Sequence, residues 1–426
     1  MKRISAFMFL PSGFSSRAML ILGVLLALNQ PLSVSAVDLS LEEIYTILGV
    51  MPDEAASKEL KKIYKKYSKL KRHKALAIAM SSGGSSIGYS YKALSELGAS
   101  RSAMAKCKEW QTDHNLGGRC EILLLGEQLI LPGRVLRQDV SPKTPAMAWR
   151  LEGPNGPLYL IGTVHFLKPS LMPMPAVFDH ILTEADNVAF ETNPILMSDP
   201  VRVSELQAIM RANPKEQKKL YDKSTKKVLK KYAKYNGFPA STAYASPIVI
   251  NALQIPQLKI AALGYAFNTG VEMHYAREAS KLGKRIIELE DPTTAMAPLL
   301  ALTTETQLLM LRETILGLDA TAPFLESLIT SWLTGDAETL YTESFRDIAS
   351  DDKFKFLAAQ LLDDRNQHWM DKIETLIAAP ETSVIMVGSA HIGGRKGLLA
   401  LLKQRGFESV QLTWSGDDVE AVEAVQ

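Results

Sequence analysis

The chain has 426 residues, of which 46% are hydrophobic and 22% are charged, and its formal net charge is +2. This is the composition of an ordinary globular protein, and the length allows two domains with sizeable cores. Because the charge is close to neutral for this size, electrostatics gives no general argument for binding nucleic acid, and no nucleic-acid partner is predicted.

The first 36 residues have the features of a cleaved signal peptide. Basic residues at positions 2, 3 and 17 precede an apolar run at 19–28, and small residues at 34–36 form a cleavage site that ends at Ala36. The apolar run is too short to span a bilayer comfortably, and no second segment reaches that length. We therefore expect a soluble protein that is periplasmic or secreted after cleavage near Ala36.

Residues 37–140 are predicted to form a small α/β module. A short helix at 38–48 is followed by a basic amphipathic helix that begins at Lys58, ends at Lys74 and carries nine Lys or Arg residues. Its basic face is interpreted as a solvated surface, with contact to an anionic membrane or cell wall as the alternative. The remaining predicted elements of the module are a strand at 75–80, a loop at 81–86, a helix at 90–110 and a strand at 120–130 with a bulge or turn at Gly126.

The two cysteines of the chain, Cys107 and Cys120, are predicted to form a disulfide. They lie in the part of the chain that is expected to be exported, where thiols become oxidised. A structural zinc site needs two further soft ligands nearby, and only His114 lies between the cysteines. The disulfide closes a short loop and is expected to stabilise the module by about 3 kcal/mol.

Two prolines among small polar residues mark a linker at 141–150, after which residues 151–416 are predicted to form the main domain. Short apolar strands alternate with helices there, which predicts a mixed, largely parallel α/β sheet with helical insertions. One insertion contains a lysine-rich segment at 215–234, which we interpret as a solvated helix face. Residues 417–426 form an acidic tail that is predicted to be flexible.

Two strands of the main domain end in the same Gly-x-x-His motif. The motif places His165 at the carboxyl end of the first strand and His391 at the carboxyl end of the second. The glycine lacks a Cβ, and we expect it to let the chain turn sharply out of the sheet. Two further strands end in carboxylates, Glu191 and Glu290. Because ligands bind beyond the carboxyl ends of parallel strands, we expect these four side chains to surround one cleft.

This set of side chains suggests metal chemistry. Two neutral imidazoles with one or two carboxylates suit a divalent ion that keeps an open coordination position, such as Mn, Co or Zn. The ion lowers the pKa of bound water, and the carboxylate that is not a ligand acts as general base and later as general acid. Either Glu191 or Glu290 can fill either role. Arg365 fits the stabilisation of an oxyanion or a substrate carboxylate, with a surface salt bridge as the alternative, and Asn366 fits the orientation of an amide.

Glu272 has a simpler local explanation. It stands three residues after Thr269, at the start of a helix predicted at 270–282, and this is the spacing of a capping box. We therefore interpret Glu272 as part of a helix cap, with a catalytic role as the alternative.

Six motifs follow one another along residues 146–414: Tyr-Leu-Ile-Gly-Thr-Val-His, Val-Ala-Phe-Glu, Gly-Val-Glu-x-His, Gly-Lys-Arg-Ile-Ile-Glu-Leu-Glu, Asp-Arg-Asn and Val-Gly-Ser-Ala-His-Ile-Gly-Gly. Their order resembles the TraB/GumN (PrgY, Tiki) family. The resemblance implies an α/β fold related to erythromycin-esterase-like proteins and, by analogy with Tiki, divalent-metal-dependent hydrolysis of peptides. It implies metal binding by His165 and His391, carboxylate roles for Glu191 and Glu290, and polar site roles for Arg365 and Asn366.

Three functions are consistent with this site. The first, which we favour, is an exported metal-dependent hydrolase that acts on a peptide or protein substrate. The second is a metal-free hydrolase in which an imidazole acts as base in ester or amide cleavage, as in erythromycin-esterase-like proteins. The third is a non-catalytic protein that binds or sequesters a peptide or a signalling molecule.

Overall fold

The computed structural model describes residues 54–81, 84–350 and 359–419. The predicted signal peptide and the predicted helix at 38–48 lie outside these residues. Within them, no helix combines the length and the apolar character that crossing a membrane requires. Each of the two predicted units is built on its own sheet, and the larger sheet is mixed with a parallel half. The predicted α/β fold class is therefore confirmed.

The N-terminal module has a four-stranded antiparallel sheet in the order β2-β1-β3-β4. Its elements, in chain order, are α1 (Glu54–Ser68), β1 (Ala75–Ser81), β2 (Gly84–Ser90), α2 (Glu96–Asp113), β3 (Glu121–Leu125), β4 (Gln128–Leu129) and α3 (Gly133–Leu136). The helix predicted at 90–110 begins later, because Ser95 caps it and accepts a hydrogen bond from the Gly98 N–H. The strand predicted at 120–130 is a hairpin, because Gly126, at φ +62°, turns the chain between β3 and β4.

Helix α1 is shorter than the predicted basic helix. It ends at Ser68, and Lys74 is only 1% exposed, with its ammonium nitrogen 2.7 Å from the Glu127 carboxylate. The apolar side of α1, through Leu60 and Tyr67, packs against β1 and β3. The apolar stripe is therefore used inside the module. Contact of the remaining lysines with an anionic surface stays a prediction.

The predicted disulfide is confirmed. Cys107 of α2 is bonded to Cys120, which immediately precedes β3, and their Cα atoms are 6.1 Å apart. Both residues are buried. The bond therefore ties the helix to the sheet on which it packs.

The main domain is built on a six-stranded sheet in the order β10-β5-β6-β9-β7-β8. The strands are β5 (Pro145–Glu152), β6 (Pro157–Thr163), β7 (Asn187–Phe190), β8 (Arg285–Glu288), β9 (Ser383–Gly388) and β10 (Ser409–Thr413). β10, β5 and β6 pair antiparallel, whereas β6, β9, β7 and β8 run parallel. The predicted linker at 141–150 overlaps β5, because the chain from Pro145 onward already pairs with its neighbours. The main domain therefore begins at Pro145.

Helices cover the main sheet and form the insertions between its strands. They are α4 (Ala176–Glu184), α5 (Pro200–Met210), α6 (Pro214–Leu220), α7 (Lys223–Tyr235), α8 (Ile248–Ala262), α9 (Val271–Lys281), α10 (Pro292–Leu300), α11 (Thr304–Leu316), α12 (Thr321–Leu333), α13 (Ala337–Ser350), α14 (Asp364–Ala378) and α15 (Leu398–Gln404). The lysine-rich segment at 215–234 forms α6 and α7. Of the predicted tail, residues 417–419 return to β10, where the Val419 N–H bonds to the Gln411 carbonyl at 2.8 Å.

The four parallel strands end at the same edge of the main sheet. Thr163 at the end of β6 lies opposite Gly388 at the end of β9, and Phe190 at the end of β7 lies opposite Glu288 at the end of β8. β7 and β9 are buried throughout and β6 almost throughout, which explains why they read as short continuous apolar runs. The residues that follow these strands therefore emerge side by side.

Two side chains hold the end of β6 in place. The Ser389 hydroxyl, just after β9, donates to the Thr163 carbonyl at 2.9 Å. The Trp332 indole N–H, from α12, donates to the Gly162 carbonyl at 2.9 Å, and the ring is buried. The loop that carries His165 therefore leaves the sheet from a fixed point.

Candidate functional site

The structure places the four predicted strand-end side chains at one edge of the main sheet. Glu191 follows β7 directly, and Glu290 lies two residues beyond β8. The Glu290 N–H donates to the Glu191 carbonyl at 3.0 Å, so the two chains stay paired beyond the strands. His165 lies two residues beyond β6, and His391 ends the short 3-10 turn that follows β9. We call the space between these side chains the cleft.

Gly388 is the point around which three of these side chains meet. A Cβ built on Gly388 lies 3.1 Å from Glu191 Oε1, 3.7 Å from His391 Cδ2 and 3.8 Å from His165 Nε2. Its N–H also donates to Glu191 Oε1 at 2.7 Å. The Gly388 backbone angles, φ −51° and ψ 133°, are accessible to any residue, so the expectation that this glycine permits a sharp turn is wrong. Its lack of a Cβ matters instead for the cleft, because a Cβ there would press on the Glu191 carboxylate.

His391 is buried and neutral. It is 1% exposed, and its Nδ1 lies 2.6 Å from Asn366 Oδ1. The Asn366 amide N–H groups donate to the carbonyls of His391 and Lys396, so Oδ1 accepts the ring N–H and the proton sits on Nδ1. Burial lowers the pKa of His391 to about 3, and the charge of Arg365 acts in the same direction. Nε2 therefore presents a lone pair towards the cleft.

His165 has the opposite environment. Its side chain is 45% exposed, and its Nδ1 lies 2.8 Å from Glu272 Oε1. The same carboxylate oxygen accepts a hydrogen bond from the Thr163 hydroxyl. The negative charge of Glu272 raises the pKa of His165 to about 9. Since Nδ1 donates to Glu272, Nε2 is the ring atom that faces the cleft.

Glu272 is a site residue that the sequence interpretation assigned to the wrong role. The capping-box interpretation is wrong, because α9 has Gly270 as its N-cap and no side-chain cap. Thr269 bonds instead to two backbone carbonyls, and Glu272, which is 7% exposed, turns towards His165. Long-range packing decides this, because the Val271 N–H pins the first turn of α9 to the loop after β6. The Gly-Val-Glu-x-His motif contains Glu272, but its own histidine is His274, so the motif does not show the contact with His165.

Arg365, near the start of α14, joins the two strand-end glutamates. Its Nε and Nη2 both donate to Glu290 Oε1, the former at 2.8 Å, and Nη2 also donates to Glu191 Oε2 at 2.5 Å. Its Nη1 donates to the Leu361 carbonyl at 3.0 Å and lies 3.3 Å from His391 Nε2. All five N–H groups of the guanidinium therefore have partners. An oxyanion can bind Arg365 only if one of these contacts is released.

The cleft carries an excess of negative charge. Burial favours the neutral acid of Glu191, but the positive charges of Arg365 and His165, together with the Gly388 N–H, hold the pKa of this carboxyl well below its usual range. The formal charges of three carboxylates, including Glu272 and Glu290, of one guanidinium and of a protonated His165 sum to −1. A divalent cation that takes the place of the His165 proton would meet a formal charge of −2, which it balances.

The donor atoms fit a divalent cation by their chemistry. Each imidazole is held at Nδ1, by Glu272 or by Asn366, and presents Nε2 beside Glu191; outer partners orient metal-binding histidines in this way. Among the described residues, no group of three or more His, Cys, Asp or Glu side chains already stands at metal-holding spacing. His391 Nε2 is in contact with Arg365 instead. A bound cation therefore has to displace one nitrogen of that guanidinium.

A small apolar pocket of about 60 Å³ adjoins His165. Its aliphatic lining comes from α12 and α13: Leu325, Leu328, Ile329 and Leu340. The hydroxyl of Ser344, which also lines the pocket, has no hydrogen-bond partner among the described residues. A cavity of about 150 Å³ holds a benzene ring, so this one suits a small aliphatic group.

The comparisons with known proteins bear on the main domain. A family model described as the TraB/PrgY/gumN family matches residues 147–411, which is more than half of the chain. No curated protein and no solved structure matches the chain significantly. The match begins inside β5 and ends inside β10, so it contains every strand end and helix that contributes to the cleft.

Proposed function

The chain belongs to the TraB/PrgY/gumN family, and on this premise we propose that it is an exported metal-dependent hydrolase that cleaves peptides. The observation that carries the proposal is the matched orientation of two imidazoles. His165 and His391 are each held at Nδ1 and each turn Nε2 to the cleft beside Glu191. Export is proposed from the sequence of the first 36 residues.

We assign the metal-holding atoms to His165 Nε2, His391 Nε2 and the Glu191 carboxylate. A divalent ion such as Mn, Co or Zn supplies, when bound, a Lewis acid that polarises a carbonyl and lowers the pKa of water. The protein's own contribution is orientation. Glu272 and Asn366 fix the two rings, and the Gly388 N–H fixes the carboxylate.

Glu290 is our candidate for the proton-accepting carboxylate. It lies beside Glu191 through a backbone hydrogen bond and is 9% exposed at its side chain, so its proton transfers are shielded from bulk water. Arg365 holds Glu290 and Glu191 at the same time, which makes it a positioning residue in this scheme. The role of Arg365 towards an oxyanion stays a prediction.

The pocket beside His165 supports a preference for the substrate. It is apolar and small, so a peptide with a small aliphatic side chain next to the cleaved bond can place that side chain there. A charged side chain at the same position loses its hydration without gaining a partner.

The metal-free hydrolase is the weaker alternative. A general base at neutral pH needs a pKa near 7, and the pKa of His165 is raised to about 9 while that of His391 is lowered to about 3. Both rings are therefore poorly matched to that role, whereas the unprotonated Nε2 of His391 can bind a cation once Arg365 Nη1 is displaced from it.

The test is hydrolysis of a peptide library by the purified mature chain, read by mass spectrometry, after removal of metal and after addition of Mn, Co or Zn. We expect cleavage only with metal, loss of cleavage in His165→Ala and His391→Ala, and full activity in the control His368→Ala. Cleavage at the same rate without metal favours the metal-free hydrolase. Peptide binding without turnover under every condition favours the binding protein.

A further inference from the structure

A large groove lies between the N-terminal module and the helical insertions of the main domain. Its volume is about 1070 Å³, and its walls are the start of α2 and parts of α7, α8 and α11. We call it the interdomain groove. None of its lining residues belongs to the cleft, so it is a second and independent cavity.

One rim of the groove is cationic. Lys227, Lys231 and Lys234 lie on one side of α7, and Arg72 lies across from them on the module. All four side chains are exposed, and within the part of the chain that the structure describes none of them forms an ion pair. The groove therefore has a rim of four cations, whereas the other lysines of α7 lie outside it.

The acidic residues in the groove do not cancel this charge. Glu96 is already paired with Lys259, whose ammonium nitrogen is 3.0 Å from its carboxylate. Asp319 is the other acidic residue in the lining. The lining therefore carries a net positive charge, and the positive groups are concentrated on the α7 side.

The floor and the far rim of the groove are apolar. Leu97, Val228 and Tyr232 are half-buried and pack on the core below. Leu258 and Leu316 on the rim are 45% and 55% exposed. The groove thus combines uncovered aliphatic surface with uncompensated positive charge, and this pairing fits a ligand that has both an apolar and an anionic part.

Two tyrosines add neutral donors between these surfaces. Burial raises the pKa of Tyr235 to about 12 and that of Tyr232 further, so both phenols keep their protons. Tyr235 is fixed by His73, whose Nε2 lies 2.5 Å from its carbonyl oxygen and whose ring is 4.3 Å from its ring. A protonated phenol can donate to an anionic oxygen.

We propose that the interdomain groove binds an amphipathic anion, with a single alkyl or acyl chain on the apolar floor and a phosphate or carboxylate head at the lysine rim. A nucleic acid would leave the aliphatic floor uncovered. An acidic peptide needs partners for its backbone amides, and the floor offers side-chain carbon in their place. The fit therefore favours a lipid-like anion.

The experiment is calorimetric titration of the purified chain with dodecyl phosphate below its micelle concentration. The chain is compared with the triple variant Lys227→Ala, Lys231→Ala, Lys234→Ala and with a charge-matched control, Lys218→Ala, Lys223→Ala, Lys230→Ala, whose exposed lysines lie outside the groove. We expect one site per chain, weakened at least tenfold in the first variant and less than twofold in the control. Equal weakening in both variants overturns the proposal, because net charge then explains the binding.

The apolar half of the site has its own test. Leu316→Gln should weaken dodecyl phosphate several-fold, whereas Leu282→Gln, at a leucine that is equally exposed outside the groove, should have no effect. Inorganic phosphate and dodecyl maltoside should each bind at least tenfold more weakly than dodecyl phosphate. Equal binding of dodecyl maltoside overturns the anionic part of the proposal.

Two further titrants distinguish a single lipid-like molecule from a membrane surface and from an acidic peptide. If vesicles of phosphatidylglycerol bind the chain and monomeric dodecyl phosphate does not bind, the chain attaches to a membrane surface. That result overturns the proposal that the groove binds a single molecule. Tighter binding of an acidic dodecapeptide than of dodecyl phosphate overturns the lipid class in favour of a peptide. Binding of dodecyl phosphate without binding of vesicles supports the proposal. Binding of both also supports it if the variant Lys227→Ala, Lys231→Ala, Lys234→Ala binds neither.

Discussion

The loops after β6 and β9 carry the same Gly-x-x-His motif and give their histidines opposite properties. His165 is 45% exposed, pairs with the Glu272 carboxylate and has a pKa near 9. His391 is 1% exposed, pairs with the Asn366 amide and has a pKa near 3. The motif fixes where each ring lies. The Glu272 carboxylate on a distant helix raises the pKa of His165, whereas burial lowers that of His391.

The same comparison separates the two glycines of the motif. Gly388 faces the cleft, where a Cβ meets Glu191. Gly162 faces the protein interior, where a Cβ lies 2.5 Å from Met147 Cγ and 2.9 Å from Ser389 Oγ. The glycine of the second motif, Gly388, therefore contacts the cleft, whereas the glycine of the first, Gly162, packs against the protein interior.

The comparison is tested most strongly by removing each ring. His165→Ala and His391→Ala should both reduce peptide hydrolysis by on the order of 10³-fold, because each removes a proposed ligand. Their stabilities should differ: His391→Ala leaves a buried cavity and unpairs Asn366, at about 3 kcal/mol, whereas His165→Ala costs about 1 kcal/mol or less because its ion pair is screened by solvent.

Kinetics and chemical denaturation of the two variants measure these effects. His368→Ala, on the exposed side of α14, serves as the control and should change neither. Equal losses of stability in His165→Ala and His391→Ala would contradict the difference in burial between the two rings.

Removal of Arg365 tests a residue that contacts His391 but not His165. Arg365→Met leaves Glu191 and Glu290 without their shared cation, and breaking a buried pair of this kind costs about 3 kcal/mol. A divalent cation should then raise the unfolding temperature more in the variant than in the wild type, because it replaces the missing charge. Thermal and chemical denaturation with and without Mn measure both effects.

Arg150→Met is the matched control for Arg365, since Arg150 forms ion pairs at the surface and is expected to contribute less than about 1 kcal/mol. An unchanged stability in Arg365→Met would contradict the assignment of Arg365 as the residue that holds both glutamates.

Exchange of the ring partners changes the charge beside each histidine while the burial that lowers the pKa of His391 stays the same. Glu272→Gln should lower the pKa of His165 from about 9 towards the ordinary value of about 6.5, and Asn366→Asp should raise the pKa of His391 from about 3. NMR titration of the metal-free protein measures both values. A His165 pKa that stays near 9 in Glu272→Gln would assign the shift to another group.

The sign of the accompanying pH dependence follows from the raised pKa. The folded protein holds the His165 proton more tightly than the unfolded chain does, so the pair stabilises the fold fully below about pH 6.5. This stabilisation is lost as the pH rises through about 9. Glu272→Gln should lack that loss. Metal binding should strengthen over the same interval, because the cation competes with the proton.

The smallest effects are expected at the two glycines. Gly162→Ala inserts a methyl group into packed side chains and should cost about 1–3 kcal/mol of stability, with metal affinity retained. Gly388→Ala should change stability by less than about 1 kcal/mol, since its φ is ordinary, and should weaken metal binding about tenfold by moving Glu191. Denaturation and metal titration of both variants test this reversal.

The sequence predicted the strand ends well because the signal there is local. A short buried strand reads as a continuous apolar run, and the first polar residues after it, His165 or Glu191, mark the point where it leaves the core. Parallel pairing then brings the ends together without further information. The four side chains of the cleft could therefore be named from the residues alone.

The partners of those side chains were predicted poorly, because they depend on contacts between distant segments. The spacing of Thr269 and Glu272 satisfies a capping box by itself, and only the packing of α9 against the β6 loop turns Glu272 to His165. Lys74 likewise continues a basic pattern, but the chain has already left the helix and buries this residue against Glu127. That all the N–H groups of Arg365 already have partners can also be seen only in the folded structure, because these partners come from distant segments.

The position of β9 in the sheet has a consequence for how the protein is made. β9 lies between β6 and β7, yet Ser389, at its end, is separated from Thr163 at the end of β6 by 226 residues. Until that late strand inserts, β6 and β7 both present open edges that other chains can join, and folding waits on a slow, long-range step. A nascent or truncated chain that lacks β9 therefore has His165 and Glu191 without His391, so the proposed metal site cannot form until residue 391 has been made.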